Sequence, residues 1–289
     1  AYAVPQKILN PTSPISVTAK DKIQKEQTTV KIDSNQSLDK VRQSPLLPNE
    51  AMGTGGMVVS DNELASKIGM EVLKEGGDAV DAAIATTLAL GVLQPFASGI
   101  GGGGFAVVYR KNQRYALDFR EVAPAAATSD MYLDEQKEPI KGKSTIGALA
   151  AGVPGEVAGL YELHKRHGKL PWKRLVQPAL TLARDGFPMH KLLFKRTNSS
   201  IQRVQMSAQL SESLLDQGVA KPLGTLVRFP NLGRTLQAIA DQGMAGFYEG
   251  KVAQEIVKSI GEAKGIITEQ DLKNYRVKTR AVIRGEYHG

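Results

Sequence analysis

The sequence has 289 residues, no cysteine, and 37 Lys or Arg against 29 Asp or Glu, a formal net charge of +8. The lack of cysteine excludes disulfides, thiolate nucleophiles and thiolate metal sites. With 42% hydrophobic and 23% charged residues, the composition is that of a globular protein of one large or two ordinary domains, long enough to bury about three quarters of its unfolded surface.

Residues 1–50 are rich in Ser, Thr, Gln, Lys and Pro and show no sustained helical or strand period. They read as a solvated N-terminal arm. Ala1-Tyr2-Ala3 resembles the small-residue end of a signal peptide, so the arm is expected to follow an export signal, with the protein periplasmic or secreted. Residues 51–289 are expected to be the ordered part. Met57-Val58-Val59 reads as a short strand. Asp61 or Asn62 caps a helix running to about Glu75, with Leu64, Ile68 and Val72 on one face. Gly76-Gly77 ends it, because glycine accepts the left-handed conformation at a helix end. Asp78 caps the next helix, 79–93, which is alanine-rich and apolar except for Asp81. This stretch falls short of the roughly 20 residues that span a bilayer, so no membrane span is expected; it reads as a helix buried between layers.

Phe105–Arg110 and 114–119 follow as two strands joined by Lys111-Asn112-Gln113. From Gly155 onward the pattern is mostly helical, with helices expected over 156–165, 172–185, 233–243 and 251–264 and stops at Gly186, Gly243 and Gly265. Thr268 with Asp271 makes a capping box for a short helix to Tyr275.

Four features could carry chemistry. The glycines at 101–104 give either a bare backbone that donates N–H groups to an anion or a joint that lets a strand enter a crowded layer. No Lys-Ser/Thr pair follows, as a phosphate-binding loop requires, and a strand follows where a dinucleotide fingerprint needs a helix, so the structural reading is favoured. Asp118-Phe119-Arg120-Glu121 closes the second strand, with Asp118 and Arg120 on one face and Phe119 on the other. Arg120 could grip a carboxylate with two prongs or merely pair with Asp118 or Glu121, and the residues alone favour the pairing. His164 and His167 stand three apart beside Lys165 and Arg166; a solvated helix end is favoured over a metal site, since the basic neighbours disfavour a bound cation. From 163 to 203 there are ten Lys or Arg and one acid, Asp185. This is a solvated helical face or an attractor of an acidic polymer, without the interleaved aromatics of a nucleic-acid module.

Several stretches then occur in a telling order: Gly56-Met57-Val58-Val59-Ser60, residues 73–83, Gly99 to Phe105, Asp118 to Pro124, Gly152-Val153-Pro154-Gly155, Gln177-Pro178-Ala179, Ala183 to Phe187, Phe247-Tyr248 and Gly265 to Leu272. Each is weak alone. As an ordered series over residues 55 to 289 they resemble the first part of the large subunit of gamma-glutamyltranspeptidases. The resemblance implies an α+β fold, the four-layer αββα sandwich of the N-terminal-nucleophile hydrolases, to which this chain contributes only part. It implies a precursor that cuts itself into a large and a small subunit. The threonine at the start of the small subunit is then the nucleophile, with its own amino group as base, and it takes the gamma-glutamyl group of glutathione or a related compound through an acyl-enzyme. It also implies that Arg120 holds the glutamyl α-carboxylate. No metal or organic cofactor is implied; the partners are the small subunit and a gamma-glutamyl small molecule.

The nucleophile is expected outside this chain. Thr86 and Thr87 lie inside a buried helix, so no catalytic residue is assigned here and the chain alone is expected to be inactive. Alternatives are a poly-gamma-glutamate hydrolase or transferase, a cephalosporin-type acylase, or a non-catalytic anion-binding protein.

Overall fold

Asn62 accepts hydrogen bonds from the amides of Leu64 and Ala65 and so starts α1 (Glu63–Lys74), the first helix of the computed structural model, which describes residues 51–288. The expected arm at 1–50 lies outside the described residues. From Gly55 onward the chain forms one compact unit. Met57-Val58-Val59 is not a strand. Met57 and Val59 are exposed, and only Val58 docks, against Gly69 of α1. An anchor through one side chain leaves the segment's backbone without a ladder to join.

Gly76 turns the chain at φ 90°, and Asp78 caps α2 (Ala79–Leu93) in a reciprocal capping box with Asp81. Eleven of the fifteen α2 residues are buried, and the helix packs on both α1 and α4 (Trp172–Asp185). It is therefore apolar all round for the reason expected: it has neighbours on several sides. Asp81 is fully buried. Its carboxylate accepts from the amides of Asp78 at 3.1 Å, Lys169 at 3.0 Å and Leu170 at 3.1 Å. One side chain thus satisfies the start of α2 and the loop that leads into α4.

β1 (Phe105–Arg110) and β2 (Gln113–Asp118) form an antiparallel hairpin. Its turn is the two residues Lys111 and Asn112, at φ 49° and 61°, whose mirror-image backbone matches the strand twist. β7 (Lys278–Arg280), for which the sequence offered no strand signal, pairs with β2 and gives the order β1-β2-β7. Ala106, Val108 and Leu117 pack into the core. The opposite face of β1 is bare: Phe105 and Val107 are each 69% exposed and Tyr109 is 62% exposed.

α3 (Glu156–His167) and α4 run as expected, α3 two residues further than its periodicity indicated. After β3 (Phe187–Pro188) come three short helices, α5 (Lys191–Asn198), α6 (Ile201–Gln205) and α7 (Ala208–Leu214). They are too short to show a period in sequence. α8 (Pro230–Gln242) begins three residues before its expected start, with Pro230 in the first turn, where the missing N–H costs nothing. α4 packs along α8, tied by Trp172 Nε1 donating to Ile239 O at 2.8 Å. The short α9 (Ala245–Tyr248), α10 (Gly250–Glu262) and α11 (Glu269–Asn274) follow, the last with the expected Thr268–Asp271 capping box. Among the described residues, no helix is long and apolar enough to cross a membrane.

Replacing Asp81 by Ala strands three buried amides. We expect Asp81→Ala to lose about 2–4 kcal/mol of stability, a loss that denaturant titration against the wild type would show. A midpoint within error of the wild type would mean water replaces the carboxylate.

Candidate functional site

β2 ends at Asp118, and the next three residues are held from every side. The Asp118 carboxylate accepts from the Arg120 amide at 3.1 Å and from Arg280 Nε and Nη2 at 2.9 and 2.7 Å. These bonds, the Arg120 amide first, hold its pKa below the ordinary range. Gly104 and Phe119 exchange a pair of backbone bonds that extend the hairpin ladder. The Tyr275 hydroxyl, brought in by the end of α11, donates to Arg120 O at 2.9 Å. Val122 and Val153 exchange bonds of 3.2 and 2.8 Å, which fixes the chain beyond Glu121.

The glycine run serves this clamp. A Cβ on Gly103 would lie 2.2 Å from Phe119 O, and one on Gly155 would lie 2.1 Å from Phe119 O and from the Tyr275 hydroxyl. Gly102 O accepts from the amides of Gly155 and Glu156 at 2.8 and 3.0 Å. The Gly102 and Gly104 amides are already bonded to Gly99 O and Phe119 O, so they do not form an anion cradle. The structural reading of the run holds.

With its backbone fixed, Arg120 presents a side chain that is 48% exposed. Its guanidinium reaches Glu121 Oε2 at 3.2 Å and Gly103 O at 3.4 Å. Of the two expected pairings, only that with Glu121 forms, since Arg280 occupies Asp118. Glu156, the first residue of α3, lies nearby. It is 6% exposed, and its Oε1 has no hydrogen-bond partner. Burial, and secondarily the charge of Glu121, pushes its pKa up to about 8. Tyr248 and Tyr275 are also raised, mainly by burial.

His164 and His167 are not a solvated helix end. His164 Nε2 bonds to Leu170 O at 2.7 Å, its ring tilted against Trp172. His167 packs at 4.8 Å on Tyr115 with Nε2 buried, and burial followed by the charges of Arg110 and Arg166 lowers its pKa. The loop after α3 folds back over the helix end and covers both rings. The basic segment is largely compensated: Arg166 pairs with Glu162, Lys173 with Asp241, Arg174 with Glu75 and Arg184 with Asp185.

The gamma-glutamyltranspeptidase profile matches residues 65–289. This chain belongs to the gamma-glutamyltranspeptidase family. It is 44% identical over 235 residues to glutathione hydrolase 2 of Arabidopsis thaliana, covering 81% of this chain and 40% of that protein. It is 42% identical to the glutathione hydrolase proenzyme of Pseudomonas aeruginosa, covering 81% and 42%. The chain thus spans about two fifths of the length of these relatives. Its fold superposes on Helicobacter pylori gamma-glutamyltranspeptidase with a TM-score of 0.80 at 39% identity, covering 83% of this chain and 69% of that one. The mixed α/β architecture is that of the family.

Sequence reasoning missed Glu156 and Tyr275. Glu156 follows Gly152-Val153-Pro154-Gly155, so a carboxylate at a helix start read as ordinary dipole compensation. Tyr275 lies 155 positions from Arg120, and no local pattern links them.

Because the folded pKa of Glu156 lies above its ordinary 4.5, its favourable contribution is complete below about 4.5 and is lost as pH rises to about 8. The full shift corresponds to roughly 3–6 kcal/mol. We therefore expect Glu156→Gln to gain in melting temperature relative to the wild type as pH rises from 5 to 8. A difference independent of pH would place the wild-type carboxylate in its ordinary ionised state.

Proposed function

We propose that the whole protein, of which this chain supplies the first part of a large subunit over residues 51–289, transfers or hydrolyses gamma-glutamyl groups, with Arg120 holding the substrate α-carboxylate. One observation carries this reading: a clamped backbone presents a half-exposed guanidinium with a single carboxylate partner. Pre-organisation of this kind lowers the entropy lost on gripping a carboxylate, and the planar fork suits two-pronged recognition.

Glu121, paired to the same guanidinium, is placed to receive the substrate's α-ammonium when the carboxylate takes its share of Arg120. The acyl group would pass to a threonine at the start of a small subunit from the same precursor, whose free amine acts as base. Proenzyme names among the relatives support such a precursor. The bare apolar face of β1 supports the four-layer αββα sandwich, since a second sheet would cover Phe105, Val107 and Tyr109. An exported location, periplasmic or secreted, accords with the N-terminal Ala1-Tyr2-Ala3 and the polar arm. Glutathione is favoured over a polyanion such as poly-gamma-glutamate, because much of the basic segment is already ion-paired.

In the matured enzyme, Arg120→Ala should lower kcat/KM for a gamma-glutamyl donor by about 2–5 kcal/mol of transition-state binding, at least about 30-fold. Arg120→Lys should fall in between, with the melting temperature of both variants near that of the wild type. Unchanged kcat/KM in both would remove Arg120 from the site. Intact mass spectrometry of the denatured full-length product should show a second polypeptide that begins with threonine. A single uncut species without gamma-glutamyl turnover would count against the acyl-enzyme reading.

A further inference from the structure

Glu156 has no part in the chemistry assigned to Arg120, yet it is the sealed carboxyl beside it. Its amide, with that of Gly155, clamps Gly102 O. That bond sets the first turn of α3 behind the glycine whose neighbour, Gly103, accepts from the Arg120 guanidinium. The groups around Glu156 come from three other elements. Glu121, with Arg120 paired to it, comes from the segment after β2. Tyr248 comes from α9, and its hydroxyl donates to Pro154 O and accepts from the Ala158 amide. Tyr275, at the end of α11, faces Glu121 and Asp118 and commits its proton to Arg120 O. Asp118 is matched by Arg280. Neither phenol has a second proton to give, and the one nearby guanidinium belongs to Glu121. A carboxyl closed off without a cation or donor keeps its proton, because its charged form has nothing to replace water. A neighbouring carboxylate strengthens that preference, since two such groups share one proton more readily than they carry two charges.

We propose that Glu156 is a positioning residue for the Arg120 anchor: as a neutral acid it donates its O–H to the Glu121 carboxylate, so that the pair carries one negative charge, matched by Arg120. No covalent bond forms or breaks. When alkali removes the proton, it goes to solvent, and the pair becomes doubly negative. The guanidinium is then drawn inward and the approaching α-carboxylate is repelled. The state of Glu156 therefore controls substrate affinity, while the reacting bond is untouched.

This inference rests on the role given to Arg120 under the proposed function, so two independent readouts are needed. The first requires no turnover. Infrared difference spectra of the full-length protein with carbon-13-labelled glutamate should show a protonated carboxyl band at pH 7 that disappears near pH 8 and is missing in Glu156→Gln. The second is the pH profile of KM and kcat for a gamma-glutamyl donor in the matured enzyme. Wild-type KM should rise about tenfold between pH 7 and pH 9.5, as expected for one added charge a few ångströms beyond contact. In Glu156→Gln, which keeps a neutral donor toward Glu121, KM at pH 7 should stay within about twofold of wild type and the alkaline rise should shrink to that of the donor's own amine. That amine titrates identically against both proteins, so their difference isolates Glu156.

An absent carboxyl band in the wild type at pH 7 overturns the proposal even if the variant does not fold. An equal alkaline rise in both proteins overturns it as well. If instead Arg120→Ala retains full activity, the anchor reading fails, and the infrared result still reports on Glu156 by itself.

Discussion

The carbonyl of Phe119 is approached from two sides so closely that a methyl group on either neighbour, Gly103 or Gly155, would stand about 2.2 Å from it. Such a distance is prohibited for any side chain. The same spot is crossed by Tyr275, whose hydroxyl reaches past Gly155 to the next carbonyl, Arg120 O. Three distant parts of the chain, the glycine run, the start of α3 and the end of α11, therefore meet on one peptide unit. What results is rigidity where the chain would otherwise be a loop leaving a strand. The Arg120 guanidinium inherits a fixed origin without being buried, and a flexible side chain on a fixed backbone is well suited to finding a planar anion.

Much of the architecture was legible because it is local. Asn62, Asp78 and Thr268 announce helix starts by side-chain chemistry that operates over two or three residues, and Gly76 and Gly186 announce ends. The hairpin followed from alternation and from a turn that tolerates positive φ. The segments that escaped were of two kinds. α5 to α7 are each about two turns or less, so their apolar positions never repeat enough to define a period. β7 and the Met57–Val59 segment depend on whether an edge is available to pair with, a tertiary matter that propensity does not encode.

The site was legible by family resemblance and ambiguous by residue chemistry. From its neighbours alone, Arg120 could have paired with Asp118, and what frees it is Arg280, 162 positions from Asp118. Glu156 was invisible for the complementary reason. Its peculiarity is the lack of partners, and a sequence shows which groups are present but not which are sealed off. The two histidines of α3 make the same point: their exposure is decided by a loop that folds over them, anchored in turn by Asp81. The uncovered apolar face of β1 shows an unmet demand for burial in this chain considered by itself, and an exposed strand face of this kind also invites association.

Asp81 has a temporal consequence. Its carboxylate belongs to a helix pair assembled from neighbouring residues, yet two of the amides that satisfy it belong to residues 169 and 170. On the ribosome the α1–α2 pair emerges well before those amides exist. Until they arrive, the buried end of α2 must stay open to water so that the carboxylate remains hydrated, because enclosing it unpaired is strongly unfavourable. The helices can form early, but their closure waits for the loop before α4, so the longest hydrophobic helix of the chain is completed only once nearly ninety further residues have been made.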